Sequence, residues 1–183
     1  MRTGCASLQW ITVFLLSVAL LAISSATMAL EPGVVVPPID FPIRNEKNLP
    51  LTDLRGKVVV VDFWASWCKP CLNALPGLEK LAAGYPPNTV VIVAVNVDEE
   101  PGKADEIIDF LKLKLPVVLD KDHRVVSLFS PDTLPTTYLI DTVGKLRFVH
   151  SGYEEGDTDK IDQEIKVLLD ELRLAAEPDG EKK

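Results

Sequence analysis

Residues 56–71 read GKVVVVDFWASWCKPC, from Gly56 to Cys71, and this stretch decides the fold. Val58-Val59-Val60-Val61-Asp62-Phe63 is a β-branched run of the kind buried on both faces of a parallel or mixed sheet. From Lys69 to Tyr85 the apolar positions Leu72, Leu75, Leu78, Leu81 and Ala82 have helical spacing, and Pro76 marks a kink in that predicted helix. Trp67-Cys68-Lys69-Pro70-Cys71 therefore falls where a buried strand hands over to a helix. There Cys68 occupies the helix N-terminus, where unpaired N–H groups and the macrodipole stabilise a thiolate. Pro70 fits the first turn, because its missing N–H would have had no helical partner. Lys69 adds a cation beside the sulfur. Such surroundings lower a cysteine pKa from about 8.5 to roughly 3.5–7.5. Cys71, one turn further in, can reach Cys68 to close a small disulfide. The predicted chemistry is thiol–disulfide exchange, with Cys68 exposed and attacking and Cys71 resolving the mixed disulfide with a partner.

Other roles for the pair fit less well. A purely structural bridge across two intervening residues closes too small a loop to stabilise much. A zinc-type site needs more ligands than one Cys-x-x-Cys supplies, and the two histidines, His123 and His150, have no finger-like spacing. Soft thiolates suit Cu(I), so a Cu(I)-binding metallochaperone module is the alternative from another class. No methionine or histidine lies near the pair in sequence to support it. The expectation is no metal and no cofactor other than the redox-active Cys68–Cys71 disulfide.

Outward from this centre, the chain of 183 residues is long enough for one domain with a proper core and short for two. It carries 19 Lys+Arg against 27 Asp+Glu. An acidic chain without a basic cluster argues against nucleic acid and anionic membrane surfaces as partners. The N-terminus has the layout of a secretory signal: Arg2, then the uncharged run Trp10 to Ile23, then small residues from Ser24 to Ala29. Residues 8–30 are also long enough to span a bilayer, so residues 1–29 read as a signal peptide or an N-terminal membrane anchor. Either way the domain is predicted outside the cytoplasm, in the periplasm or on the outer face of the inner membrane. Cys5 precedes the apolar run, so the exported part keeps only Cys68 and Cys71. That is no disulfide framework.

The remaining segments predict residues 30–175 as one domain and 176–183 as a polar tail. Leu30 to Pro50 holds five prolines and is predicted as an extended lead-in with a short edge strand at Val34 to Val36. Val90 to Val97 is a second buried strand, and Pro101 opens a helix bearing Ile107, Ile108 and Leu111. Pro116 to Leu119 is a short strand and Val125 to Phe129 a helical turn. Thr136 to Ile140 and Lys145 to Val149 form a hairpin around Asp141-Thr142-Val143-Gly144. Ile161, Ile165, Leu168 and Leu172 mark a last amphipathic helix capped by Asp157 or Thr158. This order predicts an α/β fold with a mixed central sheet and helices on both faces.

The stretch from Gly56 to Cys71 resembles the active-site segment of the thioredoxin superfamily. With Leu49 to Leu54, Leu75-Pro76, Leu134-Pro135-Thr136-Thr137-Tyr138-Leu139-Ile140-Asp141 and Gly144-Lys145, it is most similar to the exported TlpA/ResA-like branch. The resemblance covers about residues 35 to 173 and implies a thioredoxin-like fold. It implies a protein-disulfide reductase whose clients are proteins with thiols or disulfides, for example in cytochrome c maturation, fed by a membrane or exported electron donor. A disulfide donor working in the opposite direction is the second possibility. By the same resemblance Pro135 is a cis proline facing the dithiol, and Trp67, Pro70, Leu134 and Pro135 form the surface that meets the client.

Two departures stand out. TlpA/ResA relatives often carry a glutamate three positions after the second cysteine, where this chain has Ala74. Asp62 instead matches the buried aspartate of cytoplasmic-type thioredoxins, and a carboxylate in an apolar strand has a raised pKa suited to proton exchange with Cys71. The lysine that accompanies that aspartate would align near Ala94. Val61 and Ala65 stand where the proline and threonine of a peroxiredoxin would precede the cysteine, so peroxide reduction is not expected.

Overall fold

The computed structural model describes residues 30–176. The predicted signal or anchor of residues 1–29 and the tail from residue 177 onward lie outside the described residues. In chain order the elements are β1 (Asp40–Phe41), β2 (Leu49–Pro50), a 3-10 turn (Leu51–Leu54), β3 (Val58–Trp64), α1 (Lys69–Ala83), β4 (Val90–Asn96), α2 (Pro101–Leu111), β5 (Val117–Leu119), α3 (Arg124–Phe129), β6 (Thr136–Ile140), β7 (Leu146–Ser151) and α4 (Asp157–Ala176).

Every residue of β3 is buried, as its unbroken apolar run requires. It is the middle strand of a five-stranded sheet of order β5-β4-β3-β6-β7. β3, β4 and β5 run parallel, while β6 and β7 are antiparallel additions on the other side. The parallel connections carry α1 and α2, the crossover helices such pairs require. Alternation along β3 then builds two cores. Val58, Val60 and Trp64 meet Leu75 and Leu78 of α1, Ile108 of α2 and Ile161, Ile165 and Leu168 of α4. Val59, Val61 and Phe63 meet Phe41, Leu51, Val125, Phe129 and Tyr138 on the opposite face. The rings of Phe63, Phe129 and Tyr138 lie 5.0–5.6 Å apart in tilted and edge-on contacts that aromatic quadrupoles favour. This is the mixed-sheet, thioredoxin-like α/β architecture.

The lead-in differs from its expected form. Val34 to Val36 makes only a single bridge, Val35 to Lys145, because Pro37 and Pro38 bring no N–H to continue a ladder. Further along, Ile43 bridges Val118 of β5, and the Arg44 N–H donates to the Val117 carbonyl at 2.7 Å. The segment therefore crosses one face of the sheet like a strap, fastened beside β7 at one end and β5 at the other. The β1–β2 pair is a short addition within it that the proline-rich sequence does not advertise.

Two helix details also differ or sharpen. α1 is unbroken through Pro76. α4 begins at Asp157, but that carboxylate accepts the Glu154 N–H at 2.6 Å rather than a donor inside the helix. It secures the preceding turn instead of serving as the predicted cap.

Candidate active site

The chain leaves β3 at Trp64, turns through Ala65-Ser66-Trp67 and enters α1 at Lys69. Cys68 is the N-cap of α1, in extended conformation, and its Sγ accepts the Cys71 N–H at 3.3 Å. It thereby occupies one of the orphan donors that every helix start presents, and Pro70 stands in the first turn as expected. Cys68 and Cys71 are joined as a disulfide, with their Cα atoms 5.3 Å apart. Cys71 is fully buried and Cys68 is 5% exposed. The expected order of exposure holds, but Cys68 is not the open sulfur anticipated. Bonded to a buried partner, it is held inward, and only an edge of it meets solvent. Around it Lys69 and Pro70 are exposed, and Trp67 stands out at 71% exposure.

Leu134–Pro135 is a cis peptide, as the resemblance implied. Register places Thr136 of β6 opposite Phe63 of β3, so Pro135 lies at the end of β3 from which the dithiol turn departs. Pro135 is buried and Leu134 half-buried. Pro135 also shares a small cavity with Ala74 of α1.

Asp62 lies on the face of β3 that looks toward α1, between Val60 and Trp64, whose side chains join the same core as Cys71. It is fully buried, and its Oδ1 accepts the Thr137 hydroxyl at 2.7 Å while Oδ2 has no partner. Burial pushes its pKa up to about 7, against a smaller opposing pull from the Thr137 hydrogen bond. Its cross-strand neighbours are Ala94 on β4 and Thr137 on β6, so no cation stands beside it in the sheet. A carboxyl near neutrality can both take and return a proton at ordinary pH.

Sequence reasoning missed three residues here. Thr137, quoted only as part of a strand, is the hydrogen-bond donor to Asp62. Asp98 is buried and accepts the Ser66 N–H at 3.0 Å, the Ser66 hydroxyl at 3.2 Å and the Asn96 side-chain amide at 2.9 Å. Asn96 returns the favour through Oδ1, which accepts the Asp98 N–H at 3.1 Å. Asn96 and Asp98 thus clamp the turn immediately before Cys68. The available signal was two polar residues at the end of an otherwise apolar strand.

A polar cavity of about 620 Å³ opens beside β5 among Arg44, Asp105, Asp120 and Arg124, and no residue of the dithiol lines it. Among the described residues no group of three or more His, Cys, Asp or Glu is placed to hold a metal ion. The redox-active group is the Cys68–Cys71 disulfide itself.

Comparison with known proteins agrees with this geometry. A model of the AhpC/TSA family matches residues 32–149, which include the strap, the dithiol and the cis-proline strand. The chain belongs to the AhpC/TSA family. Within it, the chain is 38% identical over 102 residues to thiol-disulfide oxidoreductase ResA of Geobacillus thermodenitrificans, covering 56% of this chain and 59% of that protein. ResA of Halalkalibacterium halodurans is 34% identical over 123 residues, 67% of this chain and 68% of that relative. The chain spans somewhat under three-fifths of the length of the Bacillus cereus ResA protein it also matches, at 58%. A crystal structure of a putative thiol:disulfide interchange protein DsbE from Chlorobium tepidum superposes with a TM-score of 0.72 at 31% identity, covering 77% of this chain and 99% of that one. The fold is closely related to the bacterial ResA/TlpA/DsbE-like oxidoreductases of the thioredoxin superfamily.

Proposed function

We propose that this protein is an extracytoplasmic thiol–disulfide oxidoreductase that reduces disulfides of client proteins. The observation that carries the reading is a closed Cys68–Cys71 disulfide at the N-terminus of α1, backed by a buried carboxyl on the neighbouring strand. In the reduced protein Cys68 attacks a client disulfide, helped by the helix terminus and Lys69. Cys71 gives its proton to Asp62 and attacks Cys68, releasing the client thiol. The exposed Trp67 and Pro70 and the half-buried Leu134 make up the surface on which the client chain rests, while Pro135, expected in that surface, is buried and shapes the turn beside it. The polar cavity beside β5 plays no part, in keeping with a macromolecular substrate that docks on a surface. Residues 1–29 deliver the domain across the membrane as a signal or hold it there as an anchor, and residues 30–175 carry the activity.

The test is turnover of a disulfide-bonded protein substrate by the reduced protein, together with its reduction potential in a thiol buffer. Wild type should turn over with a potential near that of thioredoxin, about −270 mV. Cys68→Ser should be inactive. Full activity in Cys68→Ser would sink the assignment, and a potential near −120 mV would make the protein a disulfide donor instead.

A further inference from the structure

Asp62 is sealed from solvent, so a proton it takes from Cys71 needs a way out. Ala74 lines a cavity of about 10 Å³ between α1, α4 and the β6–β7 hairpin. That volume is at the lower limit of what a single water needs. Its polar lining includes Thr137, which bonds Asp62, and His150, the cross-strand neighbour of Thr137 on β7. His150 also lines a groove of about 220 Å³ on the outer side, with Glu154 and Lys160. His150 therefore lines both spaces, as do Tyr153 and Asp157. The His150 Nε2 is held at 2.6 Å from Glu164, and the other ring nitrogen bonds no protein group among the described residues.

We propose that His150, held by Glu164, is the proton port of the dithiol, passing protons between Asp62 and solvent by way of the Thr137 cavity. This rests on the oxidoreductase reading above and assigns a positioning and relay residue to it. The step balances as follows. Cys71–SH gives its proton to Asp62 and its thiolate attacks Cys68 Sγ. The Cys68–client S–S bond breaks, the Cys68–Cys71 bond forms, and the client sulfur leaves with the electron pair. The proton on Asp62 passes by way of the Thr137 hydroxyl into the cavity and on through His150 to solvent, where the client thiolate is protonated in turn. No further oxidant or reductant is required. The near-neutral Asp62 is well matched to such an exchange. The charged and titratable groups facing His150 are Glu164, Asp157 and Lys160 of α4 and Tyr153 and Glu154 of the turn before it. β4 and β6 present only Ala94 and Thr137 to Asp62.

The experiment loads Cys68 with 5-thio-2-nitrobenzoate at pH 5, where Asp62 holds a proton. Release of the coloured thiol by Cys71 is followed after a stopped-flow jump to pH values up to 9, so that release waits on Asp62 losing that proton. His150→Gln keeps a donor for Glu164 but cannot relay a proton. It should slow release about tenfold, a small part of what a general acid–base group supplies, with an unchanged reduction potential. Added imidazole should restore the rate. Thr137→Val, which cuts the link to Asp62, should be slowed without being rescued. A wild-type rate and pH profile in His150→Gln would overturn the proton port, as would a wild-type rate in Thr137→Val should the first variant fail to fold. Absence of release from the wild-type protein would instead count against the oxidoreductase reading itself.

Discussion

At the scale of single residues, the behaviour of Asp62 follows from where its proton resides. In the unfolded chain the carboxyl titrates near 3.8, whereas burial raises it to about 7 in the folded protein. Between those values the native state binds the extra proton, so stability falls as pH rises and levels off above about 7. Three units correspond to on the order of 4 kcal/mol. Asp62→Asn should therefore flatten the denaturant midpoint between pH 4 and pH 8 and make the protein more stable than wild type at pH 8, while slowing the resolving step about a hundredfold. A midpoint that still declines over that range would assign the pH dependence to other groups. Asp62 was legible in the sequence because an acid inside a valine run demands an explanation. Thr137 was not, since its bond to Asp62 spans 75 positions and depends on β6 lying beside β3. The exposure of Cys68 was misjudged for a related reason: a helix N-terminus says where a sulfur sits, but not which way a closed disulfide turns it.

At the scale of elements, the turn between β3 and α1 carries the reactive sulfur, and its shape is set by a neighbour in space. Asp98 holds Ser66 by both main chain and side chain, so the path into Cys68 is fixed from the end of β4. Asp98→Ala would leave the Ser66 N–H and the Asn96 amide without their acceptor. It should destabilise the protein by about 1–3 kcal/mol in urea unfolding. Asp98→Asn, which keeps an acceptor oxygen, should recover most of that loss; equal destabilisation by both variants would contradict a hydrogen-bonding role. Strands, helices and the hairpin were readable because each has a strong period and clear punctuation. The β1–β2 pair was not, because two-residue strands have no period at all. The start of α4 was misread for a different reason. An aspartate before a helix can turn its carboxylate either way, and here it serves the turn behind it.

At the scale of the whole molecule, the strap is the feature that no single segment reveals. Valine, phenylalanine and isoleucine within it (Val36, Phe41 and Ile43) are buried against one face of the sheet. Its two fastenings lie against the outer strands, where unpaired N–H and C=O groups would otherwise invite pairing with another chain. Val36→Ala should cost about 1–2 kcal/mol by loss of buried methyl groups. The kinetic form of that loss is also predictable. The strap joins the beginning of the domain to Val118 and Lys145, contacts that bear a large loop-closure entropy and form after the local ones. Val36→Ala should therefore raise the unfolding rate about tenfold and leave the folding rate nearly unchanged; a folding arm slowed by the same factor would place the strap in the nucleus. For a chain made from its N-terminus, the consequence concerns order in time. Of the described residues, the segment made first is among the last to lock, and until β7 exists the sheet has no clasp.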